Sequence, residues 1–163
     1  MIHVRPATPG DIAPLRDLLN VIIGIGGTTA LEEPLTEAQF NEYFLGGAAC
    51  LSCLVAEASD GGVLGFQAFG RHADLPDDWA DIGTFAKAEP KTPGVGTALF
   101  AASRVRAAEL GVAVINATIR ADNRGGLAYY DKMGFRTYRT LAAIKLHDGR
   151  PVDRILKRYS VEA

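Results

Sequence analysis

Apolar and polar positions change period along the chain, and each change marks an element. The alternation in IHVRPA, residues 2–7, predicts a first strand. TPGD follows, with Thr8 as a helix cap and Asp11 three residues on, and the helix it opens is expected to run to about Val21. GIGGTT is a glycine-rich loop. TEAQ repeats the capping pattern at Thr36 and opens a second helix through Phe44. Residues 51–57 predict a strand, SDGG a hairpin turn, and residues 64–69 the returning strand. HADLPDD is a polar loop, and residues 79–87 predict a fourth strand. Over 95–110, Ala98, Leu99, Ala102, Val105 and Ala108 recur near helical spacing, with Gly111 as the stop. The continuous apolar run VAVINATI predicts a buried strand. Residues 123–133 predict a helix ended by Gly134, and residues 135–145 and 152–159 predict two last strands around the HDGRP turn.

The order is strand, two helices, three strands, helix, strand, helix, two strands. It predicts an α/β (α+β) fold in which about four helices flank a mixed, mostly antiparallel seven-stranded sheet with one parallel crossover. A length of 163 residues suits one domain, expected over 1–163, with a sizeable core. Apolar residues at 48% and charged residues at 22% are an ordinary globular balance, and the net charge of −2 gives nucleic-acid binding no support. No apolar run is long enough to span a bilayer, and MIHVRPATPGD lacks a signal peptide's apolar core, so the cytoplasm is the expected compartment. Cys50 and Cys53 form a C-x-x-C, but no second Cys or His pair completes a zinc site. They are read as packing thiols on opposite faces of a strand, and no metal is expected.

KTPGVGTALF, residues 91–100, is the segment that points to chemistry. Glycines flank Val95 where a helix begins, and helix-start amides are unpaired donors beside the positive end of the helix dipole. Phosphate is the common guest of such a site. The P-loop string G-x-x-x-x-G-K-[ST] is absent. A dinucleotide fingerprint needs a third glycine where Leu99 stands, in a repeated βαβ array that this chain lacks. A pyrophosphate loop for an acyl-CoA suits the strand-to-helix junction.

NRGGLAYYDKMGF, residues 123–135, adds context. With the loop it resembles the GNAT superfamily of N-acetyltransferases, whose loop reads Gln/Arg-x-x-Gly-x-Gly/Ala. Here that is Lys91, Thr92, Pro93, Gly94, Val95, Gly96. The family's later helix has Asn, a small residue, Tyr and Gly-Phe where this chain has Asn123, Gly126, Tyr130, Gly134 and Phe135. GGTTALEEPLT, WADIGTFAKAEPK and HDGRPVDRILKRY resemble the phosphinothricin acetyltransferase branch, with Asp81 on the position of that branch's glutamate. Three departures stand out. Lys91 stands where the family has Gln/Arg and keeps a polar or cationic group. Pro93 removes an amide donor from the loop, and Asp81 is one methylene shorter than Glu.

The resemblance implies acetyl transfer from acetyl-CoA to a primary amine by direct attack. The acceptor it implies is a small amino-acid-like molecule of the phosphinothricin or methionine sulfone type, with a protein N-terminus or a polyamine as alternatives. A homodimer is usual for the branch, and a non-catalytic acyl-CoA sensor is the rival reading. An α-amino group with a pKa near 8 is about one-tenth neutral at pH 7, whereas a lysine-type amine is neutral in roughly one part in 2,500, so a base helps both. Asp81 is the candidate base, provided burial raises its pKa, and Tyr130 is the candidate general acid for the leaving thiolate, with Tyr129 as its control. A backbone amide near Phe85 or Ala86 is implied to polarise the thioester carbonyl. Lys87, Lys91, Thr92, Gly94, Val95, Gly96, Thr97, Asn123 and Tyr130 complete the implied acetyl-CoA contacts. Asn123 equally suits a helix N-cap. Arg120 and Arg124 are expected to face solvent, and His3, His72 and His147 to be ordinary surface residues.

Overall fold

The computed structural model describes residues 1–162. Seven strands form one sheet in the order β1-β2-β3-β4-β5-β7-β6. The strands β1 (His3–Pro6), β2 (Cys50–Glu57), β3 (Val63–Gly70) and β4 (Trp79–Ala86) pair antiparallel as one half. The strands β5 (Val114–Arg120), β6 (Arg136–Lys145) and β7 (Pro151–Ser160) form the other, with β7 inserted between β5 and β6. The halves meet where β4 runs parallel to β5, joined by the crossover helix α3 (Val95–Glu109).

Helices cover both faces because the central strands are apolar on both. On one face lie α1 (Ile12–Ile25) and α2 (Glu37–Phe40), the latter continuing as a π-helical stretch, Asn41–Leu45. Leu15, Leu19, Phe40, Phe66 and Phe85 form the core there, with Phe66 stacked on Phe85 at 4.9 Å. On the other face α3 and α4 (Arg124–Lys132) pack with Phe100, Ile115, Tyr130 and Phe135. The Thr8 capping box expected for the first helix is present, but it opens a 3-10 turn, Pro9–Asp11, that leads into α1. The Asp11 carboxylate accepts from the Thr8 amide at 2.7 Å and from both ends of the Arg5 fork at 2.8 and 2.9 Å.

Two helix expectations need correction. α1 runs a turn past Val21, because Ile22 and Ile23 extend the buried stripe of Leu15, Leu18 and Leu19. α3 buries Val95, Leu99, Phe100, Ser103 and Ala107, while Val105 is 57% exposed. Its alanines sit on every side and blur the stripe, and the face is set by spacing of four through Ser103, a small residue that lets helix and sheet approach closely. No helix among the described residues is long and apolar enough to cross a membrane.

Candidate active site

The sheet opens at its middle. β4 and β5 pair through Trp79↔Val114, Ala80↔Ile115 and Asp81↔Asn116, and the parallel ladder ends there. Beyond Asp81 the two strands diverge, and β4 keeps its ladder to β3 as far as the Lys87 amide, which donates to the Leu64 carbonyl at 2.8 Å. Alternation along an antiparallel ladder then turns the amides of Phe85 and Gly83 toward β3 and those of Ala86, Thr84 and Ile82 toward the opening. Of the two amides implied for the carbonyl, Ala86 is the one facing the gap, whereas Phe85 contributes its ring to the core. A cleft of about 1140 Å³ passes through this gap, from the α1–α2 face to the start of α3.

At the far end of the cleft, Gly94 takes a left-handed φ of 86° and starts α3. The first intrahelical bond is Ala98 N to Gly94 O at 3.0 Å, so the amides of Val95, Gly96 and Thr97 have no chain partner and point out along the helix axis. Pro93 brings no donor. Thr92 is half-buried beside the loop, and Lys87 and Lys91 are exposed at its edge. Gly96 has a second reason to lack a side chain, since a Cβ there would lie 2.5 Å from Cε1 of Tyr129. The loop thus bears on a neighbouring ring as well as on any phosphate.

That ring belongs to a hydrogen-bonded chain that the sequence does not announce. Tyr129 Oη donates to the Gly96 carbonyl at 2.7 Å and accepts from Gln67 Nε2 at 3.0 Å. Gln67 Nε2 also donates to Thr84 Oγ1 at 2.8 Å, and Thr84 Oγ1 lies 2.9 Å from Tyr130 Oη. Tyr129 is therefore tied to the loop and is no neutral control for Tyr130. Tyr130 is buried, its ring edge-on to Tyr129 and Phe135, and burial pushes its phenol well above the usual tyrosine range. Gln67, a fully buried polar residue in an apolar strand, was the available signal for this network.

Asp81 lies on the opposite face of β4 from Thr84. Ala80 and Ile82 pack with the α3–α4 core and Phe85 with the α1–α2 core, so alternation puts Asp81 toward α1 and α2. Its Oδ1 accepts from Asn116 Nδ2 at 2.9 Å. Burial raises its pKa, opposed by that hydrogen bond and by the nearby His72. His72 lines the same cleft, so it is more than a bystander.

Asn123 caps α4, its Oδ1 accepting from the Gly126 amide at 2.9 Å, and its Nδ2 donates to the Thr28 carbonyl at 3.2 Å. The cap reading is the one the contacts display. Arg120 departs from expectation. It is buried, held by Asp122 through Nε at 3.0 Å and Nη2 at 2.8 Å, because β5 carries it under the α1–α2 loop. Arg124 is exposed. His3 pairs with Glu57, and His147 with Glu32 and Glu33. Cys53 is buried, its thiol pushed up to about 12, while Cys50 is half-buried at the cleft wall. Among the described residues no group of three or more His, Cys, Asp or Glu is placed to hold a metal.

No family model matches the chain, and no curated protein matches it by sequence. Solved structures match it over nearly its whole length. A GNAT superfamily phosphinothricin acetyltransferase from Sinorhizobium meliloti, solved in complex with AcCoA, has a TM-score of 0.86 at 19% identity, covering 98% of this chain and 88% of that one. The chain has the GNAT N-acetyltransferase fold. An N-acetyltransferase from Staphylococcus aureus Mu50 matches with a TM-score of 0.87 at 20% identity over 99% of both chains. A ribosomal-protein-alanine N-acetyltransferase from Brucella melitensis matches with a TM-score of 0.84 at 21% identity, over 97% of this chain and 99% of that one.

Proposed function

We propose that the chain is an N-acetyltransferase that moves the acetyl group of acetyl-CoA to the primary amine of a small amino-acid-like acceptor. The observation that carries this reading is the opened sheet, with three free helix-start amides at one end and Asp81 and Tyr130 on opposite faces of the strand beside it. Acetyl-CoA supplies an activated thioester. The amides of Val95, Gly96 and Thr97 hold its diphosphate, with Lys87 and Lys91 as flanking cations. The Ala86 amide donates to the thioester carbonyl oxygen.

The acceptor enters from the α1–α2 face, where Asp81 points. Asp81 takes a proton from the incoming ammonium, directly or through one water, and its raised pKa makes it a better base than an exposed aspartate. Tyr130 gives its phenolic proton to the departing thiolate. Gln67 occupies a lone pair of Thr84 Oγ1, so the Thr84 proton can turn to Tyr130 Oη and support the phenolate that forms. The acceptor side of the cleft has an apolar wall of Ile22, Ile25, Tyr43 and Phe44, which suits the methylene stem of an amino-acid side chain.

A thiol-release assay with acetyl-CoA and a panel of amines tests the reading. The panel holds methionine sulfone, phosphinothricin, a peptide with an N-terminal alanine, and spermidine. Turnover with an amino-acid-like amine supports the proposal. Turnover with the peptide alone moves the enzyme to protein N-termini. Acetyl-CoA binding without turnover on any amine favours a sensor.

A further inference from the structure

Asn116 and Tyr138 have no part in the steps above, yet they are tied to Asp81. Asn116 is 2% exposed in the middle of an apolar strand, where an amide side chain is costly unless every polar atom is satisfied. Both of its polar side-chain atoms are engaged, in three hydrogen bonds. Its Oδ1 accepts from Tyr138 Oη at 2.6 Å, and its Nδ2 donates to Asp81 Oδ1 at 2.9 Å and to Thr118 Oγ1 at 3.1 Å. An ionised carboxylate can only accept, so Asp81 takes the NH₂ end, and the Tyr138 hydroxyl, donating to the oxygen end, holds the amide in that orientation.

Tyr138 reaches Asn116 from two strands away. β7 lies between β5 and β6, and the register of β6 slips between Thr137 and Arg139, with Tyr138 at the irregularity. Such bulges re-aim a side chain, and here the phenol spans β7 to β5. The ring is held edge-on to Trp79 at 5.8 Å, with the Arg158 guanidinium 5.3 Å from its centroid. Trp79 in turn begins the strand that carries Asp81.

We propose that Asn116, oriented by Tyr138, is a positioning residue that holds Asp81 Oδ1 and leaves Oδ2 to face the acceptor in the cleft. Oδ2 has no hydrogen-bond partner among the described residues, and Asp81 lines the cleft. The inference deepens the proposed function and rests on Asp81 being the base. A donor on the carboxylate favours its ionised form, so it offsets part of the rise that burial imposes. The other groups facing Asp81 are His72 from the β3–β4 loop, Tyr130 from α4 and Tyr138 itself, with Arg158 from β7 behind the Tyr138 ring. Glu42, from the π-helical stretch after α2, and Arg120 from β5 line the same cleft.

The test follows the Asp81 carboxyl by ¹³C NMR in aspartate-labelled protein, its resonance identified by its loss in Asp81→Asn. Tyr138→Phe is the lead variant because it removes one hydroxyl from a half-buried ring. Asn116→Ala removes the donor outright. Both are expected to raise the Asp81 titration midpoint, by about half a unit for Tyr138→Phe and about one unit for Asn116→Ala. Turnover at saturating acetyl-CoA should fall ~10-fold in Tyr138→Phe with the Michaelis constant for acetyl-CoA unchanged. A purely structural Tyr138 would lower the melting temperature and leave the titration in place, and an unmoved Asp81 midpoint in Tyr138→Phe overturns the inference. Failure of the base reading looks different. There the midpoints move as expected, but Asp81→Asn keeps parental turnover from pH 6 to 9.

Discussion

Changing Tyr130 to Phe, with Tyr129→Phe beside it, separates the leaving-group role from packing. Tyr130 Oη makes one hydrogen bond, to Thr84 Oγ1, which keeps its bond from Gln67 when the phenol is gone. The ring contacts with Tyr129 at 4.9 Å and Phe135 at 5.0 Å survive the change. The stability cost is that of one hydrogen bond, about 1 kcal/mol, or roughly 2–4 °C in melting temperature for a chain of this length. A general acid is worth ~10²-fold or more in rate, about 2.7 kcal/mol of barrier. Tyr129→Phe removes two bonds, to the Gly96 carbonyl and from Gln67, and should cost ~1–3 kcal/mol of stability. Because Gly96 lies in the turn proposed to hold the diphosphate, that variant should raise the Michaelis constant for acetyl-CoA by about 10-fold and leave turnover within about threefold. Thiol release at saturating substrates, with calorimetric melting of each variant, reads both effects. Equal losses of turnover in the two variants, or a Tyr130→Phe enzyme within about threefold of the parent, would return Tyr130 to a packing role.

Gly96→Ala should drive its new methyl into Tyr129 and cost ~1–3 kcal/mol of stability along with weaker acetyl-CoA binding, whereas Gly111→Ala, strained by a φ of 74° but with open space at the far end of α3, should lose stability and leave binding unchanged; calorimetric melting and titration check the two effects. Ser103→Ala removes a fully buried hydroxyl that has no partner among the described residues, and should raise the melting temperature by roughly 2–4 °C for each ~1 kcal/mol gained. The Arg5 guanidinium holds the Asp11 carboxyl down at about 2. The folded pKa is depressed, so this contribution, about 2 kcal/mol at most, is present above the unfolded value near 3.9 and is lost as pH falls from there through 2. Urea unfolding from pH 5 to 2 should show that loss in the parent and less of it in Arg5→Met.

The parts of the fold that sequence makes plain are those where one strong local signal sets an element. Glycines at 94, 111 and 134 with positive φ bracket α3 and end α4, and the Thr8 and Thr36 caps start their helices where expected. α3's buried face was hidden because alanine carries little apolar contrast, so the sheet it meets decides its orientation. Tyr130 and Asp81 were reached through motif position. Their partners were not, because Gln67–Thr84 and Asn116–Tyr138 join residues 17 and 22 positions apart through strand pairing that no local spacing encodes. A polar residue inside an apolar run, Gln67 in LGFQAFG or Asn116 in VAVINATI, is the trace such networks leave in sequence. Tyr129 was misjudged as a control for the same reason, since its partner Gly96 is 33 positions away on another helix.

In the proposed complex acetyl-CoA lies in the gap between β4 and β5 with its diphosphate on the start of α3. Titrating acetyl-CoA into ¹⁵N-labelled protein and following each backbone amide tests it most directly. Saturable shifts are expected at Val95, Gly96, Thr97 and Ala86, with a smaller response at Phe85, whose amide is committed to β3. Binding that leaves those four amides unmoved, or no binding at millimolar acetyl-CoA, would contradict it.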